Sequence, residues 1–186
     1  MSLLAPLALA LSLSASADES PAFEVSLLAA APGPATPGAS ACRDELFRIA
    51  RNKNANEIVY RARQARPGAL DREEPMEAYW LMLAEDGHRE GMSFIERIMA
   101  YGFSAEPAQE GDGFTVSLKA KKDRPLHLAI REGCPVALAR IGGSEGVLRR
   151  IYVHATGESL IPTVDYVELF GVDPATGREL YEKIGR

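Results

Sequence analysis

Residues 45–63 read ELFRIARNKNANEIVYRAR. Phe47 and Ile49 stand two apart on one side of residues 45–51, and Ile58 and Tyr60 stand two apart in the same way after the asparagines. A period of two puts such residues on one face of an extended strand. Asn52-Lys53-Asn54-Ala55-Asn56 between the two runs is rich in residues that tolerate turn backbone. The stretch therefore predicts a β-hairpin with a long, Asn-rich loop, Ile58 and Tyr60 on one face and Val59 and Arg61 on the other.

The pattern continues along the chain. Met76–Leu83 is nearly all apolar and suits a central strand covered on both faces, ended by Glu85-Asp86-Gly87. Phe114–Lys119 and Leu126–Arg131 alternate again. Pro135–Ile141 and Val147–Ala155 flank Gly142-Gly143-Ser144-Glu145-Gly146, and Asp165–Gly171 and Arg178–Ile184 flank Asp173-Pro174-Ala175-Thr176-Gly177. Both connections have hairpin composition. Met92–Ala100 is the one helix expected. Ser93 and Glu96 have capping-box spacing, and Phe94/Ile98 and Ile95/Met99 make an apolar face. A helix this short has to pack on the sheet to persist. The fold expected is mainly β, a single antiparallel β-sandwich or small β-barrel of about eight or nine strands with that one short helix.

The N-terminus reads differently. Leu3–Leu13 is an apolar run, followed by the small-x-small triplet Ala15-Ser16-Ala17. That is the form of a signal peptide over residues 1–17, too short to span a bilayer. No Lys or Arg precedes the run. Residues 18–41 hold three acids, no base and a Pro/Ala/Gly-rich stretch, which reads as an acidic tether. Setting those three acids aside leaves −2 of the formal charge of −5 on residues 42–186. Such a domain has little pull on phosphate backbones, so nucleic acid is not an expected partner. The cluster Lys119, Lys121, Lys122, Arg124 reads as a solvated turn. Export to the periplasm or medium is the localisation expected. Ala39-Ser40-Ala41-Cys42 offers an alternative, lipid anchoring through Cys42. Cys42 and Cys134 are the only cysteines, and their pairing is left open between a disulfide and two free thiols.

No chemical motif stands out. His88, His127 and His154 form no metal-ligand spacing, and no metal or cofactor is expected. Residues 142–146 match G-x-S-x-G in letters only, because that motif needs a strand-to-helix turn. No catalytic residue is assigned. What remains is a polar and aromatic set: Arg51, Asn54 and Asn56 by the first loop, Tyr79 and Trp80 mid-strand, Glu96, Arg97 and Tyr101 by the helix. Arginine and amides beside aromatic rings suit a small-ligand or peptide pocket. Loop stabilisation by the asparagines, core packing of Trp80 and helix capping are the more ordinary explanation of the same residues.

The segments RNKNANEIVY (51–60), AYWLMLAEDG (78–87) and ERIMAYG (96–102), with VELFG (167–171) and the 173–177 turn, resemble a bacterial family of domains of unknown function. The resemblance runs from Leu46 to Ile184. It implies an exported or envelope-associated domain and no particular reaction. Three functions are compatible with these readings. One is a periplasmic or envelope module binding a small molecule or an envelope protein. Another is a small hydrolase or lyase using converging acids such as Glu74 and Glu96. The third is an envelope structural subunit, which predicts an exposed apolar patch.

Overall fold

A computed structural model describes residues 42–157 and 163–185. The expected signal peptide, the tether and the triplet before Cys42 lie outside the described residues. The first hairpin forms from β1 (Glu45–Arg51) and β2 (Asn54–Ala62). Its connection is shorter than expected, because Arg51 already pairs with Asn54. The strands that follow are β3 (Gln64–Arg66), β4 (Ala69–Leu70), β5 (Met76–Leu81), β6 (Arg89–Gly91), β7 (Phe103–Pro107), β8 (Phe114–Leu118), β9 (Leu126–Arg131), β10 (Cys134–Ile141), β11 (Ser144–Thr156), β12 (Thr163–Val172) and β13 (Glu179–Gly185). Both glycine-containing connections turn as expected, between β10 and β11 and between β12 and β13.

The main sheet runs β6-β5-β2-β1-β11-β10-β9-β8-β7, with β12 and β13 added through β11. β11 is long enough to serve two neighbours in succession. Ser144–Val147 pairs with β10 and Arg150–Val153 pairs with β1. A register shift between Leu148 and Arg150 marks the change, as a bulge that bends a strand does. Pairing is antiparallel except between β1 and β11, which run parallel. Asn52 secures that junction, since its side chain donates to the Ala155 carbonyl and accepts from the Ala155 N–H, each at 3.0 Å.

The sheet is rolled, and one aromatic contact measures it. Tyr60 on β2 stacks on Phe47 at 4.5 Å and meets Phe103 on β7 edge-on at 6.3 Å. Five strands separate β2 from β7 in the order above. In a flat sheet they would lie roughly 29 Å apart, at ~4.8 Å per strand. The fold is thus a curled, half-barrel sheet with extra strands. Its interior is lined by the inward positions of the alternating runs, Phe47, Ile58 and Tyr60 among them, all almost completely buried. Cys42 and Cys134 form a disulfide with Cα atoms 5.2 Å apart, tying the entry of β1 to the start of β10. Closing a loop of 92 residues stabilises by about 4–5 kcal/mol in the chain-entropy view.

The chain crosses between the two ends of the sheet, β6 and β7, through the helical turn. Ser93 caps it with the expected box, and α1 (Phe94–Glu96) continues as a π-helical turn over Arg97–Tyr101. The expectation that its apolar face packs on the sheet is overturned. Phe94, Ile95, Ile98 and Met99 are 76%, 71%, 52% and 60% exposed. The reason is the repeat: i→i+5 spacing aims Glu96 and Tyr101 inward together, whereas α spacing pairs Phe94 with Ile98. Gly102 closes the turn, because a Cβ there would sit 1.9 Å from the Arg97 carbonyl oxygen.

Candidate functional site

Under the helical turn, four of the eight expected residues meet. Trp80 pairs with Ile58 across β5 and β2, so it faces the interior. Its indole N–H donates to Glu96 Oε1 at 3.0 Å. The other oxygen of Glu96 accepts from the Ser93 N–H and hydroxyl, both at 2.8 Å. Tyr101 meets Trp80 edge-to-face at 5.6 Å. The Arg51 guanidinium, from the end of β1, lies between these rings, 5.1 Å from Trp80 and 5.2 Å from Tyr101. Its Nη1 donates to the Tyr101 hydroxyl. Its Nε is buried and has no hydrogen-bond partner among the described residues. Among the described residues Nη2 has none either.

The electrostatics follow from this packing. Burial pushes the Glu96 carboxyl up, but the Ser93 and Trp80 hydrogen bonds and the Arg51 charge together outweigh it. Its pKa falls below the ordinary carboxylate value. Glu96 is therefore ionised at neutral pH and beside Arg51. Burial raises the Tyr101 phenol against the pull of Arg51, so it stays protonated. Every polar atom of the cluster is thus accounted for except on one edge of Arg51.

The other expected residues lie elsewhere. Asn54 accepts from the Asn56 N–H at 2.8 Å, and Asn56 accepts from the Ala84 N–H at 2.8 Å. They fasten the β1–β2 connection to the turn after β5. Tyr79 neighbours Trp80 on a strand and so faces the opposite way, where Arg89 covers its ring at 4.7 Å. Arg97 is exposed on the helical turn. Sequence reasoning missed Tyr60, whose hydroxyl donates to the Tyr101 carbonyl at 2.7 Å and ties the turn to the core. Its period-two position marked it as inward but did not say what it reached.

An open cleft of about 790 Å³ lies beside the disulfide and was not anticipated. Arg61, Gln64, Asp44, Arg66 and Glu77 line it. Most of its charges satisfy one another. Asp44 accepts from Arg61 at 2.9 Å and Gln64 at 2.7 Å, and the Arg61 hydrogen bond chiefly lowers its pKa. Arg63 pairs with Glu74 nearby. Glu74 precedes β5 while Glu96 contacts Trp80 near its far end, roughly 13 Å of strand from Met76 to Trp80. These two acids do not converge. His127 and His154 lie on β9 and β11, with β10 between them. His154 instead stacks on Tyr166 at 4.6 Å and faces Asp165 at 3.1 Å. Among the described residues no group of three or more His, Cys, Asp or Glu side chains is placed to hold a metal. No described helix is long and apolar enough to cross a membrane.

These features define a mainly-β domain closed by a disulfide, with an arginine–aromatic cluster under a helical rim. Residues 47–183 match the family described as Domain of unknown function (DUF4833), and the chain belongs to that family. The match agrees within a residue at each end with the span expected from the sequence. No curated protein and no solved structure matches the chain.

Proposed function

We propose that this domain is an exported binding module whose site is the unpaired edge of Arg51, between Trp80 and Tyr101. The observation that carries the reading is the buried Nε without an acceptor. A buried N–H of a charged group left unpaired costs about 1–3 kcal/mol or more. An acceptor brought by a ligand repays that cost. The Nε–Nη2 edge of a guanidinium matches a carboxylate or phosphate in two parallel hydrogen bonds. Trp80 and Tyr101 supply an aromatic wall, and Glu96 restricts the site to one anionic group. The ligand class is therefore a small molecule or peptide end carrying one carboxylate or phosphate. The leader-like residues 1–17 and the Cys42–Cys134 bridge support a periplasmic or envelope location.

Trp80 is the single tryptophan, so its emission reports on this site alone. Titration with acetate, hexanoate, alanine and inorganic phosphate is expected to give a saturable change with at least one of them, absent in Arg51→Met. No saturable change with any, or the same change in the variant, sinks the reading. Intact mass of the secreted protein is expected to lack residues 1–17, and an uncleaved mass would remove the export part.

A further inference from the structure

The helical turn presents the apolar surface that its sequence pattern had assigned to the core. Phe94, Ile95, Ile98 and Met99 are all more than half exposed within six consecutive residues. Their exposure is built in. The Tyr60–Tyr101 and Trp80–Glu96 hydrogen bonds and the Ser93 cap hold the turn's other side inward. An isolated exposed leucine needs no explanation, but four clustered side chains mark a surface that meets something apolar.

Charge indicates what that is. Arg97 lies within the apolar turn and is exposed. At the turn's end the Gly102 carbonyl accepts from the Lys119 N–H at 2.8 Å, which places the start of the Lys119–Arg124 connection beside it. Lys121 is paired with Asp123, and Arg124 with Glu182. Arg97, Lys119 and Lys122 have no ion-pair partner among the described residues. Of the acids nearest in the chain, Glu96 is spent on the cap, while Glu90 lies on β6 and Glu106 on β7, outside the turn. Beside the four exposed apolar side chains stand Arg97 within the turn and Lys119 at its end, with Lys122 three residues further on, in a domain of net charge −2. This is the combination that lets a short amphipathic element settle at the boundary of headgroups and acyl chains. Each basic residue near an anionic surface strengthens binding about fivefold.

We propose that the 94–99 turn docks this domain shallowly onto an anionic lipid bilayer. The proposal does not depend on a ligand at Arg51, and it gives the exposed apolar patch expected of an envelope structural subunit a specific occupant. It is tested by co-sedimentation of the full chain with vesicles of phosphatidylcholine alone and of phosphatidylcholine with 30% phosphatidylglycerol as the probe (about one anionic lipid in three, enough to set a surface potential). Wild type, Phe94→Ser/Ile98→Ser and Lys119→Glu/Lys122→Glu are compared after an intact-mass check, so that residues 1–17 are equally present or absent in all three. Binding to the anionic vesicles, weaker on neutral ones and reduced about tenfold or more in each variant, supports it. Thermal midpoints within a few degrees of wild type exclude misfolding, and the lysine pair stays informative if the apolar pair fails to fold. Absence of binding, equal binding to neutral vesicles, or undiminished binding by either folded variant overturns it. So does light scattering that shows a dimer lost in Phe94→Ser/Ile98→Ser without vesicle binding, since the occupant is then a second copy.

Discussion

Replacing Arg51 with Met separates a binding role from a structural one. The change removes two cation–π contacts, at 5.1 and 5.2 Å, each worth about 1 kcal/mol at a half-buried site. It also removes the donation to the Tyr101 hydroxyl, about 1.5 kcal/mol net. Against these losses it eliminates a buried N–H without an acceptor, a relief of about 1–3 kcal/mol. The Met side chain keeps contact with both rings through its sulfur, about 0.3–1.5 kcal/mol more. The expected net cost is about 1 kcal/mol, a fall of about 2–4 °C in the unfolding midpoint for a domain of this size. Trp80→Ala provides the scale, since it opens a cavity beside Ile58 and costs about 3–5 kcal/mol. Urea unfolding followed by circular dichroism measures both variants. A loss above about 4 kcal/mol in Arg51→Met would make Arg51 a structural keystone and refute the reasoning.

Other outcomes follow from the same structure. Gly102→Ala forces a Cβ against the Arg97 carbonyl and is expected to cost at least about 2 kcal/mol, with a shift in Trp80 emission as the π turn unwinds. Cys42→Ser/Cys134→Ser is expected to lose about 4 kcal/mol by urea unfolding, and reductant should have no effect on the variant. The Glu96 pKa is lowered on folding, so its contribution is complete above the unfolded value and is lost as pH falls through the folded one. Trp80 emission should therefore change below about pH 4.5, and Glu96→Gln should abolish that change.

Local signals carried much of this fold. Alternation at Phe47/Ile49 and Ile58/Tyr60 and the glycines at 142–143 specify strands and turns within a few residues of themselves. The Ser93–Glu96 box located the helical turn for the same reason. What escaped was non-local. β7 has an unremarkable sequence, and its position at the end of a rolled sheet follows from β8 and from Tyr60 meeting Phe103. The parallel β1–β11 pair depends on Asn52 finding Ala155, about a hundred residues later. Spacing showed that Phe94 and Ile98 share a face and was silent on what that face touches. The site shows the same division. Arg51, Trp80, Glu96 and Tyr101 converge from three elements, and their chemistry singled them out. Tyr79 could have been excluded by parity alone, because it adjoins Trp80 on one strand. Asn54 turned out to serve the backbone of its own turn, and Asn56 that of the turn after β5.

The central claim is that Arg51 holds an unpaired hydrogen-bonding edge for an anion. The most direct measurement is the Nε–H resonance of Arg51 in a proton–nitrogen correlation spectrum, assigned by its loss in Arg51→Met. In the free protein it should lie at the low proton shift of an N–H without an acceptor, then move downfield and saturate on titration with the anion that alters Trp80 emission. A shift already typical of a strong hydrogen bond, unchanged by every anion tried, would contradict the account.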